Sequence, residues 1–166
     1  MMALVRRGKL VEDHFVDIAG TDAPLPAGAV LVSLEQWTAH REQLVRRAEP
    51  VGVRLRSDQT LDALAADLEH LAVIALEFPA FKDGRAYSQA RLLRERFGFK
   101  GELRAVGDVL LEQLHFMQRV GFDAFEIDSP DPLGDYQTAA ADFSVWYQPA
   151  TDSRATAIEL RHRLIR

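Results

Sequence analysis

The sequence predicts an α/β domain in which a parallel sheet of about four βα units forms an arc resembling half of a (β/α)8 barrel, preceded by a small N-terminal β element. Two observations predict this fold. Between Pro50 and Ile127 the chain alternates strand-like and helix-like segments with short connections, which favours right-handed crossovers and a parallel sheet. The predicted strands also carry their charged residues on one face only. An open doubly wound sheet is the alternative, but helices would bury both of its faces, so we favour the half barrel.

The βα core follows from local patterns of apolar and capping residues. Strands are predicted at 51–56, 73–78, 102–106 and 124–127, and helices at 61–71, 85–97 and 109–120. The first strand alternates apolar Val51, Val53 and Leu55 with other residues, and the first helix repeats leucine at three- and four-residue steps. Asp108 is expected to cap the third helix, and Gly121 is expected to end it.

The N-terminal part is predicted to contain a β element and one helix. Strands are expected at 10–18 and 29–32 because both segments are rich in strand-forming apolar residues. Ser33 and Gln36 have the spacing of a capping box, in which each side chain accepts a hydrogen bond from the backbone of the other residue. A helix is therefore expected at 34–47.

The length of the chain indicates one domain with a single hydrophobic core. We divide this domain, 1–166, into an N-terminal β element and helix (1–50), the βα core (51–128) and a C-terminal extension (129–166). Two segments have the composition of irregular connections, 19–28 and the part after Pro149.

Charge and hydropathy limit the partners that we expect. The chain has 25 acidic and 20 basic residues and a net charge of −5, whereas a broad nucleic-acid interface needs clustered positive charge. It contains no run of the roughly 20 apolar residues that a membrane span needs, and no signal-like segment at its start. We therefore expect a cytoplasmic protein that binds neither nucleic acid nor membranes.

The chemistry of redox centres is missing from the sequence. There is no cysteine for a thiolate or an iron–sulfur cluster, and none of the five histidines has the spacing of a helical metal pair. Glycine-rich nucleotide-binding motifs are also missing. We therefore expect neither a metal nor an organic cofactor.

Charged residues on the strands are the first candidates for a functional site, because ligands of parallel α/β sheets collect at the carboxyl ends of the strands. Arg104 lies in the middle of an apolar strand and needs a carboxylate partner. Glu77 and Glu126, at matching heights on the neighbouring strands, are the expected partners, close to Arg85 and Asp108. The candidate acid–base residues are Glu77, Arg104, Asp108 and Glu126. A purely structural ion-pair cluster remains the alternative.

A helix start after the second core strand suggests a site for a small anion. The residues that could bind a phosphate, sulfate or carboxylate are Lys82, Arg85, Ser88 and Arg104. In the alternative interpretation, Asp83 caps the helix and Arg85 pairs with a neighbouring carboxylate. Further along this helix, Arg91 and Glu95 are expected to form an exposed pair one turn apart.

Three blocks carry a family resemblance: FPAFKDGRAYSQARLLRER at 78–96, GELRAVGDV at 101–109 and RVGFDAF at 119–125. With these blocks in this order, the chain resembles the bacterial domain-of-unknown-function family 934, whose members are described as oxidoreductases involved in sulfite reduction. The resemblance marks as family signature Phe81, Asp83, Gly84, Arg85, Ser88, Arg91, Arg104, Gly107 and Asp108.

The resemblance implies a place in assimilatory sulfite reduction and sulfur assimilation. Because the chain has no ligands for a redox centre, we expect an accessory or binding protein that binds a small oxyanion or the sulfite reductase haemoprotein at the C-terminal end of its sheet. A non-redox enzyme that performs acid–base chemistry on a small anionic metabolite is the alternative, so the sequence leaves open whether the protein is an enzyme. Because an arc of strands has two edges, we also expect either a homodimer or coverage by the N-terminal β element.

Overall fold

Eight strands and five α-helices lie in the part of the chain that the computed structural model describes, residues 2–152 and 154–164. The strands are β1 (Met2–Arg6), β2 (Lys9–Val11), β3 (Val16–Asp17), β4 (Val30–Ser33), β5 (Val51–Leu55), β6 (Val73–Phe78), β7 (Glu102–Gly107) and β8 (Ala124–Asp128). The α-helices are α1 (Leu34–Val45), α2 (Arg85–Glu95), α3 (Leu114–Arg119), α4 (Pro132–Ala141) and α5 (Ala157–Leu164).

The strands form one mixed sheet in the order β2-β1-β8-β7-β6-β5-β4-β3. Strands β3 to β8 are parallel, whereas β1 is antiparallel to β8 and β2 is antiparallel to β1. The predicted half-barrel α/β fold is confirmed. The prediction of a wholly parallel sheet is wrong, because the N-terminal hairpin β1–β2 pairs with the free edge of β8.

The connection between β2 and β3 shows how strongly the sheet is curled. These strands are the two opposite edges, yet only residues 12–15 separate them in the chain. Seven strand spacings of about 4.8 Å would hold the edges of a flat sheet about 34 Å apart. Five extended residue steps reach at most about 18 Å. The sheet must therefore curl until residues 12–15, which we call the strap, can cross its open side.

The two faces of the curled sheet differ as predicted. The outer face packs against the helices and carries the main core, which includes Val53, Ile74, Leu76, Leu103, Ala105 and Phe125 of the sheet together with Ala90, Leu93 and Met117 of α2 and α3. The inner face has a small apolar cluster of Leu31, Val73, Ala75 and Val106, covered by Phe15 of the strap. Charged side chains occupy the rest of the inner face.

Segment 61–71 is not the predicted α-helix. It forms successive turns with hydrogen bonds three residues apart and one 3₁₀ turn at Leu68–His70. Side chains three residues apart line up in this geometry. Leu61, Leu64 and Asp67 are accordingly buried, and the Asp67 carboxylate accepts two hydrogen bonds from Arg41. Because Asp67 is buried in one row with Leu61 and Leu64, the segment does not form the predicted α-helix with a stripe of leucines.

Helix boundaries agree with the predictions at some ends and differ at others. The capping box of Ser33 and Gln36 starts α1, and Gly121, with φ 110°, follows α3. The predicted helix at 109–120 is shorter, because α3 begins only at Leu114 after a 3₁₀ turn at Leu111–Gln113. Asp108 does not cap it, because the N-cap residue is Leu110 for the 3₁₀ turn and Gln113 for α3.

The terminal regions hold more regular structure than expected. The single strand predicted at 10–18 is wrong, because this segment divides into β2, the strap and β3. Helix α4 was not expected, although Asp131 caps it by accepting a hydrogen bond from Gly134, and α5 lies in the tail that was expected to be irregular. None of the helices in the described ranges is long and apolar enough to cross a membrane.

Candidate functional site

Arg104 is the centre of an ion network on the inner face. Its side chain is 2% exposed, and its guanidinium donates to Asp13 at 2.6 Å and to Glu102 at 2.8 Å. The Phe15 ring lies 5.7 Å from the guanidinium carbon, so two strap residues hold this arginine. A charge buried this deeply needs such partners, because an unpaired one would carry a large desolvation cost.

The expected pairing of Arg104 is confirmed for one of its two predicted partners. Glu126 lies 3.7 Å from Arg104, whereas Glu77 lies 3.5 Å from Arg54, whose guanidinium also donates to Asp17 at 2.9 Å. We define the inner-face ion network as Asp13, Asp17, Arg54, Glu77, Glu102, Arg104 and Glu126. The exposed Arg6 also donates to Glu102, at 3.3 Å, so five carboxylates face three guanidinium groups and the network is acidic.

Glu77 and Glu126 lie at matching heights on β6 and β8, as predicted. Glu77 pairs in register with Val106 of β7, and the register of β7 with β8 continues from Arg104 and Ala124 to place Val106 beside Glu126. Two strand spacings, about 10 Å, separate the two backbones. Burial raises the pKa of Glu126 above its ordinary value, although Arg104 and Arg54 oppose this effect. Of these two carboxylates, Glu77 pairs with Arg54, and Glu126, 3.7 Å from Arg104, is easier to protonate than an ordinary glutamate.

The raised pKa of Glu126 predicts a pH-dependent effect of Glu126→Gln. A carboxyl group with a raised pKa in the folded state holds a proton that the unfolded chain has already lost, so folding stability falls as pH rises through this window. The glutamine variant lacks this decline. We expect the stability of the variant relative to the wild type to increase from pH 4 upward until Glu126 is fully ionised. Urea unfolding of both proteins over this range measures the difference, and a constant difference would contradict the assignment.

The residues proposed for anion binding do not converge. Lys82, Arg85 and Ser88 lie at the start of α2, whereas Arg104 is on the inner face, four residues before Asp108 along β7, which is about 13 Å of strand. The expectation that Arg104 lies near Arg85 and Asp108 is therefore wrong. Strand alternation correctly predicted that Arg104 lies on the inner face. Its guanidinium, however, contacts the strap and not the carboxyl ends of the strands.

Arg85 is engaged by a neighbouring carboxylate. Its guanidinium donates to both oxygens of Asp83, at 2.9 and 2.6 Å, and Ser57 donates to the same carboxylate at 2.7 Å. The hydrogen bonds from Arg85 and Ser57 hold the pKa of Asp83 far below its ordinary value. The N-cap residue of α2 is Gly84, although the Arg85 backbone N–H donates to Asp83 as well. An anion at this helix start would have to compete with Asp83 for Arg85.

Other residues of the family signature have identifiable structural roles. Gly107 has a φ of 90°, and a Cβ at this position would lie 2.5 Å from the Phe78 carbonyl oxygen, so only glycine fits at the end of β7. Arg91 forms the predicted exposed pair with Glu95 at 2.9 Å. Asp108 is exposed beyond the end of β7. Phe81 is exposed in the loop after β6, where an apolar ring has no evident structural role.

A second candidate site lies outside the curled sheet, and sequence patterns did not predict it. Five large apolar side chains are between 47% and 83% exposed, and we call them the aromatic surface: Phe81, Phe116, Phe143, Val145 and Tyr147. The His115 ring connects two of them, because its centroid lies 3.7 Å from the ring of Phe116 and 4.7 Å from that of Phe143. Exposed apolar area of this extent is typical of interaction sites.

A cavity of about 590 Å³ opens within this surface. Its walls come from the loop after β6, α2, the 3₁₀ turn before α3, α3 and the C-terminal segment, and they include Phe81, Tyr87, Phe116, Val120, Trp146 and Ala150. This volume is within the range of ordinary ligand pockets. Burial raises the pKa of Tyr87 to about 12, so its hydroxyl stays protonated at the cavity wall.

Arg119 of α3 fixes the C-terminal wall of the cavity. Its guanidinium donates to the Gln148 carbonyl at 2.7 Å and to Asp152 at 3.1 Å, and it lies 5.1 Å from the ring centroid of Trp146. The Arg119 carbonyl accepts hydrogen bonds from the Thr151 backbone and hydroxyl. The Arg154 guanidinium also lies over the Trp146 ring, 4.7 Å from its centroid. These contacts hold an irregular segment against α3. In the sequence, only the aromatic residues between positions 143 and 147 pointed to this segment.

Among residues 2–152 and 154–164, no group of three or more His, Asp or Glu side chains is arranged to hold a metal ion. Comparison with curated proteins gave no match. The family model described as "Bacterial protein of unknown function (DUF934)" matches residues 52–158. This range includes all three sequence blocks, the aromatic surface and the inner-face ion network except Asp13 and Asp17. Because this match covers more than half of the chain, the protein belongs to the DUF934 family.

Proposed function

We propose that this protein is an accessory protein of assimilatory sulfite reduction, which acts in the cytoplasm by binding the sulfite reductase haemoprotein through the aromatic surface. The pathway and the partner come from the resemblance of the three sequence blocks to proteins described in that context. The single observation that supports binding is the aromatic surface with its cavity. Phe81 of this surface follows β6, at the C-terminal end of the sheet, whereas Phe116 lies in α3 and the other three residues follow α4.

Protein interfaces are enriched in the side chains that form this surface. Aromatic residues and arginine dominate the centres of interfaces, because they bury a large area and retain a polar or charged group. Here, aromatic rings surround a cavity whose wall is fixed by Arg119. A small oxyanion is a weaker candidate for the ligand, since Asp83 already binds Arg85 through both of its oxygens.

Acid–base chemistry on the inner face is the second candidate function. The raised pKa of Glu126, at the same height as the arginine-paired Glu77, favours it. The excess of carboxylates in the inner-face ion network disfavours an anionic metabolite, because like charges would repel it. The binding role therefore has the better support, with a homodimer as an additional expectation that sedimentation can measure.

Calorimetric titration of the purified protein with the purified sulfite reductase haemoprotein tests this proposal. We expect the combined change Phe116→Ala and Phe143→Ala to weaken binding about tenfold or more, because it removes two exposed rings from the centre of the surface. Leu92→Ala is the matched control, since Leu92 is an exposed apolar residue of α2 outside the aromatic surface. Equal binding by the double variant and the control, or no binding by the wild type, would refute the proposed role.

A further inference from the structure

The C-terminal wall of the cavity has backbone groups that are available for hydrogen bonding. Within the described residues, the N–H groups of Tyr147, Gln148 and Ala150 and the carbonyls of Pro149 and Ala150 have no protein partner. Gln148, Pro149 and Ala150 line the cavity. An occupant that excludes water from this wall must supply donors and acceptors, because unpaired buried backbone groups are costly. A peptide backbone offers both in alternation.

The extent of the apolar surface also favours a peptide over a small molecule. The cavity is lined by Phe81 and Phe116, and the His115 ring joins Phe116 to the exposed Phe143, which lies outside the cavity. A compound that fills the cavity would leave the rings outside it exposed. A segment of a partner protein can place one side chain in the cavity while its flanking residues cover these rings.

The charges of the cavity predict the sign of the flanking residues. Two arginines and one glutamate line it, Arg91, Arg119 and Glu112, whereas the whole chain has a net charge of −5. The guanidinium of Arg91 is largely exposed, and its hydrogen bond to Glu95 uses only Nε. The two terminal nitrogens of Arg91 therefore remain available for a carboxylate.

We propose that the cavity binds a peptide segment of the partner that has one large apolar side chain flanked by acidic residues. The apolar side chain enters between Phe116 and Val120, the peptide backbone bonds to the wall at Gln148 and Ala150, and an acidic side chain contacts Arg91. This inference rests on the proposed function and specifies how the partner is recognised.

The probe is a pentapeptide, Glu-Gly-Phe-Gly-Glu, blocked at both ends, and the readout is the amide NMR spectrum of the full chain. We expect the amide signals of Gln148 and Ala150 to shift. A relative with alanine in place of phenylalanine should bind about tenfold more weakly, as expected for the loss of a buried aromatic ring. Relatives with lysine for both glutamates, or with N-methylated central amides, should also bind more weakly than the parent peptide.

Three results would overturn the inference. The first is no binding of the parent peptide at about 1 mM, where even weak segments are detectable. The second is shifts that leave Gln148 and Ala150 unchanged. The third is equal affinity for N-acetyl-phenylalanine amide, which would identify a site for small molecules.

A variant that fills the cavity separates this inference from the proposed function. Ala150→Trp should abolish peptide binding, and Ala39→Trp, at an exposed position of α1 outside the cavity, is the control. Val120→Trp fills the cavity from the opposite wall and replaces the first variant if that one fails to fold. If Ala150→Trp blocks peptides but the wild type never binds the haemoprotein, the proposed partner is wrong and the inference stands. If the haemoprotein binds both proteins equally, the partner stands and the inference fails.

Discussion

Replacement of Arg104 by alanine is expected to lower the free energy of unfolding by about 3 kcal/mol, because the change leaves partly buried carboxylates without their counter-charge. Asp13, Glu102 and Glu126 all lie within 4 Å of this guanidinium, and Glu102 is itself mostly buried. Loss of the side chain also removes the surface on which Phe15 packs. Urea denaturation at neutral pH measures the effect.

Arg91→Ala is the control for this prediction. Arg91 is largely exposed, and its pair with Glu95 on α2 is of a kind that contributes only a few tenths of a kcal/mol, roughly 0.3. Equal melting temperatures for the two variants would show that the guanidinium of Arg104 is solvated in solution and that the strap does not cover it.

The position of Arg104 also bears on the origin of the curled fold. The strap is four residues long, and two of them, Asp13 and Phe15, contact this one side chain. Arg104 therefore joins the connection between the two sheet edges to the middle of β7. This arrangement favours a structural role for Asp13, Glu102 and Arg104. Glu77 and Glu126 are more exposed than Glu102 and Arg104, and they remain accessible to a ligand.

Local patterns predicted much of the fold, because their causes lie within a few residues. Strand alternation gave the face of Arg54 and Arg104, and the capping box gave the start of α1. The strap could not be predicted in this way, since Asp13 and Arg104 are 91 positions apart and no short-range pattern joins them. Glu102 is different, because it lies two residues before Arg104 on the same face of β7, a spacing visible in the sequence.

The aromatic surface could not be predicted because it depends on the packing of the C-terminal segment against α3. In the sequence, Trp146 and Tyr147 stand in a run without regular periodicity, which indicates a loop. The anchor of this loop, Arg119, is the last residue of α3, and its partners lie about 30 residues further along the chain. Arginine side chains make such long-range contacts to carbonyls and carboxylates without any fixed sequence spacing.

Arg119→Ala is expected to release residues 146–150 from α3 and to abolish binding at the cavity. The change removes the hydrogen bond to the Gln148 carbonyl, the ion pair with Asp152 and the stacking on Trp146, and we expect a loss of about 2 kcal/mol in stability because Arg119 is buried. The Thr151 bonds to the backbone carbonyl of residue 119 remain, so the segment stays attached at that end. The steady-state ¹H–¹⁵N NOE of the Tyr147, Gln148 and Ala150 amides should therefore fall, because the released segment moves faster than the folded domain tumbles.

Arg154→Ala is the matched control, because Arg154 also lies over the Trp146 ring but is more exposed and lies 3.7 Å from Asp152. We expect this control to retain the high NOE values of these three amides and the affinity for the pentapeptide, whereas Arg119→Ala binds the peptide about tenfold more weakly or not at all. Both variants remove a positive charge near Trp146. A difference between them therefore shows that Arg119 acts by holding the C-terminal wall in place and not by its charge alone. If both variants lost peptide affinity equally while the NOE values stayed high, Arg119 would act through its charge, and the C-terminal wall would not depend on it.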